Sequence, residues 1–379
     1  MTPSATRRLS GAGAYVVDGQ SIRHPDGTVS GVVRTGELDI EALDSSRRAH
    51  VLSVFTRLCN TMDTPLQIVV RTRALRPDDV RQRQQSAPAA GAARARTGAH
   101  ELDDAMNAFW ARRLESTPAY RREVFVATRA PTMSRLTPCI ARICESVRAM
   151  GIPAEPLHDD ALASVATAGV ERRVGVEWTA HPHFVRVGGT YLRGFSLRRL
   201  PGHAVTAGWL TPLLRVAVEC DVAIHLAPAS LSEALTTLGR RLRDLSAHRL
   251  LEGERGVVAD VHVDIGLDSA FELRTRLARN LGRPLHLSIT AMVRAATIDQ
   301  LRQASETMRV AFQSALASSE PAHFRHPAAF MSTMPLGVDR LHANKLVESS
   351  AAAVCFPWVD AGCADPGGYR LGASLRGRL

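Results

Sequence analysis

Two short patterns hold the residues of this sequence best suited to chemistry. In Asp260-Val261-His262-Val263-Asp264 three metal-type ligands recur at every second position. On a strand, alternation places all three on one face, and imidazole with carboxylates suits several divalent ions. A metal-dependent hydrolase around Asp260, His262 and Asp264 is therefore one function class the sequence allows. The plainer reading is preferred: an amphipathic strand that turns its polar face to water, because no fourth ligand or supporting shell can be named. His181-Pro182-His183 offers a second pair of imidazoles. It too reads as exposed turn residues beside a hairpin rather than as ligands. No metal, cofactor or catalytic residue is assigned.

Other catalytic patterns fail on particular residues. A phosphate loop of the form G-x-x-x-x-G-K-[ST] needs glycines, so that backbone N–H groups cradle the phosphates, and a lysine that reaches them. The only lysine, Lys345, lies in Ala343-Asn344-Lys345-Leu346 with no glycine beside it. Phosphoryl transfer of the P-loop kind has no residues to work with, so the chain is not expected to be an enzyme. Gly11-Ala12-Gly13-Ala14-Tyr15-Val16 begins like a dinucleotide fingerprint, but Val16 replaces the third glycine and no strand precedes it. Gly372-Ala373-Ser374 is followed by Leu375-Arg376-Gly377, one residue too long for a nucleophile elbow. The six cysteines form no C-x-x-C pair and no disulfide framework. They point to a reducing compartment, with Cys139 and Cys144 as small core residues.

The elements that would position such residues follow from periodicity. The chain has 379 residues, 45% of them hydrophobic, and a formal charge of +10 carried almost wholly by arginine. Nucleic-acid binding needs clustered rather than bulk basic charge, and runs such as Arg240-Arg241-Leu242-Arg243-Asp244 read as ordinary helix faces. No apolar run is long enough to span a bilayer. Thr6-Arg7-Arg8-Leu9 resembles a twin-arginine signal, but Gly11, Gly13 and Asp18 break the apolar stretch behind it.

Strands are predicted at 31–38, 66–70, 124–128, 221–226 and 284–291, and a hairpin at 183–197 turns at Gly188-Gly189. Helices are predicted at about 45–62, 100–116, 137–150, from Ser230 onward, and from Thr297 to about 317. Thr137 is taken as a cap, Pro138 as the first helical residue and Gly151 as the terminator. Ser230–Glu233 and Thr297–Gln300 form capping boxes. The fold class is α/β (α+β): two mixed β-sheet/helix subdomains with β-α-β-type halves, the second echoing the first. The expected organisation is a disordered tail at 1–13 and an N-terminal subdomain at 14–155 with a flexible loop at 74–98. A second subdomain at 156–340 and a linker at 341–379 complete it.

Several short segments recur in a familiar order. They are Pro65–Arg73, Pro201-Gly202-His203, Gly208–Leu214, Leu226-Ala227-Pro228, Phe330–Gly337, Cys355-Phe356-Pro357-Trp358, Asp365-Pro366-Gly367-Gly368 and Leu371-Gly372. Over roughly 350 residues this order resembles the N-terminal region of the VirB4/TraC family of conjugation and type IV secretion ATPases. The resemblance implies a non-catalytic docking part that contacts inner-membrane channel components and neighbouring subunits. The family's strand and phosphate loop would come next, where this sequence stops at Leu379, so ATP binding is carried over to no residue.

The expected function is therefore a docking or assembly subunit of a conjugative DNA-transfer or type IV secretion apparatus. It is expected in the cytoplasm or on the cytoplasmic face of the inner membrane, where it self-associates or works with a VirB4-type ATPase in trans. The alternatives are a piece of a longer VirB4-like ATPase and an arginine-rich nucleic-acid-binding accessory protein. Trp358 is expected as an uncovered interface anchor, and Trp209 as a core residue.

Overall fold

The computed structural model describes residues 15–76, 119–166, 178–201, 205–254 and 260–359, with part of 105–114. The first half contains β1 (Val16–Asp18), β2 (Ser21–Arg23), β3 (Val29–Thr35), α1 (Ser45–Thr61), β4 (Leu66–Ala74), β5 (Tyr120–Ala130), α2 (Met133–Ala149), β6 (Ala154–Pro156) and α3 (Asp159–Ala166). The second half contains β7 (Trp178–His181), β8 (Phe184–Val187), β9 (Thr190–Arg199), α4 (Thr211–Leu214), β10 (Cys220–Pro228), α5 (Leu231–Glu254) and α6 (Val261–Ala278). It continues with β11 (Pro284–Ala295), α7 (Ile298–Ser314), β12 (Ser318–Pro321), α8 (His326–Thr333), β13 (Lys345–Glu348) and α9 (Ser349–Ala353).

The mixed helix-and-sheet class is as expected, and the echo between halves is a repeated topology. In the first half the chain runs β3-α1-β4-β5-α2-β6, and the strands lie in the order β6-β3-β5-β4. In the second it runs β9-α4-β10-β11-α7-β12, and the strands lie in the order β12-β9-β11-β10. Both are the split β-α-β arrangement of a β-α-β-β-α-β unit. The α5–α6 hairpin is an insertion between β10 and β11.

The expectation of two separate mixed sheets is corrected. One 13-stranded sheet runs through the molecule, and every described pairing in it is antiparallel. The halves join where β4 pairs with β10 from Thr72↔Cys220 to Leu66↔Leu226, centred on Val69↔Ala223. Both strands are buried throughout the paired stretch. Left unpaired, each would hold a row of buried N–H and C=O groups without partners, and pairing with the other strand satisfies both rows.

The sheet has two covered faces. On one, α1, α2, α7 and α9 pack over Val70, Val126, Val222, Ile224 and Ile289, with Phe55, Phe312, Phe356 and Trp358 filling the layer. On the other, α3, α8 and the segment after α8 cover Val32, Val69, Phe125, Ala223 and Met292. Cys355–Val359 belongs to this packed body and not to an open linker.

Most predicted elements match, and two local differences have plain causes. Helix α2 begins at Met133, a turn earlier than expected, so Pro138 lies inside it. Thr137 is no cap: its Oγ1 donates to the Met133 carbonyl at 3.1 Å. The hydrogen bond that Pro138 cannot make would have gone to Ser134, a residue exposed to solvent. Gly151 ends this helix as predicted, at φ +83°. The second difference is at 260–264, which open helix α6 instead of forming a strand. Asp260 caps that helix, its Oδ1 accepting from the His262 N–H at 2.9 Å. The expected loop at 74–98 and the tail at 1–13 lie almost wholly outside the described residues, and the helix at 100–116 lies largely outside them.

Candidate functional site

Three polar side chains cross the covered face in one row: Gln67 on β4, His225 on β10 and Ser288 on β11 are directly paired neighbours. All three are buried, and between them they reach the last turn of α8 and the segment that follows it. Gln67 Nε2 donates to the carbonyls of Ser332 and Met334 at 2.9 and 2.8 Å, and its Oε1 accepts from the Gly337 N–H at 2.7 Å. His225 Nε2 donates to Ser332 O at 2.8 Å. Ser288 Oγ donates to Asp339 at 2.6 Å, and Asp339 in turn accepts from the Leu341 and His342 N–H groups at 2.9 and 3.2 Å. Burial lowers the His225 pKa, while Asp339 and the Ser332 carbonyl act in the opposite sense. The stretch from the end of α8 through Asp339, with Pro335-Leu336-Gly337 at its centre, is thus a strap locked onto three strands. Ser30 completes the lock by donating to Leu336 O at 2.6 Å.

At the other end of the same face lies a charge cluster. The Asp221 carboxylate is 2% exposed and takes donors from three arginines. Arg71 Nε lies 3.2 Å away, Arg73 Nη2 2.8 Å and Arg294 Nη2 2.9 Å. Burial alone would raise the Asp221 pKa, but Arg73, Arg294 and Arg71 together hold it well below the usual carboxylate range. The cluster fixes β4, β10 and β11 to one another, and Arg71 also donates to the Val165 carbonyl of α3 at 3.3 Å. Neither this cluster nor the polar row was singled out in the sequence. Their only signal was Arg71-Thr72-Arg73 on one strand and an acid, Asp221, at the start of its echo.

The predicted site residues are dispersed. Asp260 and His262 are used in capping, and Asp264 pairs with Arg249 of α5 at 3.3 Å. Helical geometry turns successive side chains by about 100°, so residues two apart diverge instead of sharing a face. Among the described residues no group of three His, Cys, Asp or Glu side chains is placed to hold a metal ion. His183 lies exposed in the turn between β7 and β8, whereas His181 is the half-buried last residue of β7.

Trp358 is corrected from an uncovered anchor to a core residue. It is 1% exposed, its Nε1 donates to Thr35 Oγ1 at 2.8 Å, and its ring packs edge-on against Phe55. Trp209 is half-buried against the same core. Cys59, Cys220 and Cys355 are free and buried, with burial as the main cause pushing their thiols up to about 12. Thiols so protonated are poor nucleophiles. The Gly11–Ala14 and Ser374 patterns lie outside the described residues.

The surface feature that stands apart is the α5–α6 hairpin. Its two helices bury Ala234, Leu238, Ala270 and Leu277 against each other. Toward its tip Leu250, Leu251, Val261 and Ile265 remain exposed. Scattered surface leucines are ordinary, but here four exposed apolar side chains fall near the end of α5 and the start of α6. No described helix is long and apolar enough to cross a membrane.

No protein-family model matches the chain, and no curated protein matches it either.

Proposed function

We propose that this chain is a docking or assembly subunit of a conjugative DNA-transfer or type IV secretion apparatus, holding other molecules without turning over a nucleotide. One observation supports the reading above others. Four of the segments that carry the VirB4/TraC resemblance are far apart in sequence yet meet in a single bonded core, while Gly202-His203, Asp365–Gly368 and Leu371-Gly372 lie outside the described residues. Pro65–Arg73 supplies nearly all of β4, Leu226-Ala227-Pro228 ends β10, and Phe330–Gly337 closes α8 and enters the strap that Gln67 of β4 grips. Cys355–Trp358 supplies the aromatic layer over Phe55. Shared motifs that jointly build a scaffold favour a common fold plan over chance matches of short strings.

The hairpin tip is the docking element in this reading, and its partner is an inner-membrane component of the channel. Self-association and work with a VirB4-type ATPase in trans fit the same scheme, on the cytoplasmic face of the inner membrane. Co-purification from cells that express the neighbouring genes tests it. The wild-type chain is expected to recover a membrane component. A Leu250→Asp, Val261→Asp double variant is expected to lose about tenfold of it with an unchanged melting temperature, since both sites are exposed. Recovery of no membrane component, equal recovery by the variant, or nucleotide turnover above background would each overturn the reading.

A further inference from the structure

Two histidines from distant parts of the chain meet near one end of the sheet. His183 lies in the turn between β7 and β8, and His323 lies between β12 and α8. Both are exposed, and their Nδ1 atoms stand 3.3 Å apart, with the rings edge-to-face at 5.1 Å. Backbone bonds bring them together. The Phe324 N–H donates to the Pro182 carbonyl at 3.0 Å, so each histidine is the chain neighbour of one end of that bond. The His323 N–H turns back to the Pro321 carbonyl at 2.8 Å, and Phe324 follows at φ +60°. A left-handed phenylalanine is a strained choice that the bonds around it must hold in place.

The two flanking histidines support this arrangement and stay outside it. His181 Nδ1 accepts from the His183 N–H at 3.3 Å, and its ring stacks on Phe184 with centroids 4.5 Å apart. His326 is 0% exposed, its Nδ1 accepts from the Gly194 N–H at 3.1 Å, and its other ring nitrogen is turned to the Pro182 carbonyl. The neighbouring guanidinium groups are engaged elsewhere. Arg325 Nη2 donates to the Arg340 and Leu341 carbonyls at 3.1 and 2.9 Å, and Arg193 lies over the Phe195 ring.

We propose that His183 and His323 form a two-imidazole clamp for a zinc-type divalent ion, bound through both Nδ1 atoms. Nitrogens that face each other so closely share either a proton or a metal ion. The separation fits the metal. Zinc–imidazole bonds of about 2.0–2.1 Å, opened to a tetrahedral angle, set two nitrogens about 3.3–3.4 Å apart. A right-angled pair, as in octahedral or square-planar sites, would stand about 3.0 Å apart at the same bond length. With the ring protons on Nε2, each neutral imidazole offers its Nδ1 lone pair to the ion. The exposed rings leave the remaining two positions to water, so the site is open and holds its ion less tightly than a closed structural zinc site. Once bound, the ion ties the β7–β8 turn to the turn before α8. The inference does not rest on the docking reading.

Isothermal titration of the chelator-treated intact chain with zinc chloride at neutral pH tests it. Saturable binding of one ion per chain in the micromolar range is expected, with magnesium giving none. His183→Ala and His323→Ala are each expected to weaken binding roughly tenfold or more, since either leaves a single imidazole. His248→Ala removes a separate exposed histidine, one that pairs with Glu252 at 3.2 Å, and is expected to change nothing. Zinc is also expected to raise the melting temperature of the wild-type chain and of His248→Ala, but not of the other two variants. Melts without zinc establish that each variant is folded, as substitutions of exposed side chains should be. The proposal is overturned by absence of zinc binding, by adventitious binding without one-site saturation, by binding that survives either His183→Ala or His323→Ala, or by loss of binding in His248→Ala.

Discussion

Asp221 shows how much one carboxylate can hold. Its oxygens take donors from strands on both sides of β10, at the junction of the two halves. Taking the charge away while leaving three guanidinium groups in place creates buried positive charge without compensation. Asp221→Asn is therefore expected to destabilise the fold by about 3–5 kcal/mol in urea denaturation. The pH dependence follows from the direction of the shift. The folded-state pKa lies below the unfolded one, so the stabilisation is complete above pH about 4 and drains away as pH falls below it. The stability gap between wild type and Asp221→Asn should narrow in that acid range and stay constant above it. None of this was legible in the sequence. Arginine everywhere hides the few arginines that are buried, and Arg71-Thr72-Arg73 looks like any solvated strand until its partner strand is known.

At the scale of the element, the strap after α8 depends on a glycine. Gly337 has φ +67°, and a Cβ there would lie 3.0 Å from Arg129 Cβ and 3.1 Å from the Arg129 backbone nitrogen. Gly337→Ala meets both backbone strain and a rigid neighbour, and should cost about 2–3 kcal/mol. Gly19→Ala, at φ +57° in open space, should cost about 1 kcal/mol, from strain alone. Chemical denaturation of the two variants side by side checks the difference. Long elements were the legible ones: the stripe Val51, Phe55, Leu58 and Met62 identified α1 because four turns of helix leave a clear period. Asp260–Asp264 misled because five residues with alternating polarity fit the start of a helix as well as a strand. The capping role of Asp260 becomes visible only with the apolar pattern that follows it.

For the whole molecule, the joined sheet predicts joint unfolding. The principal core includes residues from both halves, among them Phe55, Val126, Ile224, Ile289 and Trp358. Thermal unfolding is expected as one transition, coincident by far-ultraviolet circular dichroism and by tryptophan fluorescence. Two separated transitions would contradict a shared core. The α/β class and the echo of one half in the other were legible, since each half writes its own strand and helix periods locally. The union of the halves was not. Pairing between strands some 150 residues apart leaves no nearby turn or spacing to read.

That union also carries a liability. Because β4 and β10 satisfy each other's inner edge where the two halves join, either can find the same counterpart on a neighbouring chain during crowded refolding. The product would be an intertwined dimer that reuses the native Val69↔Ala223 register across two polypeptides, an exchange needing no new contact, only a choice of which copy to close upon.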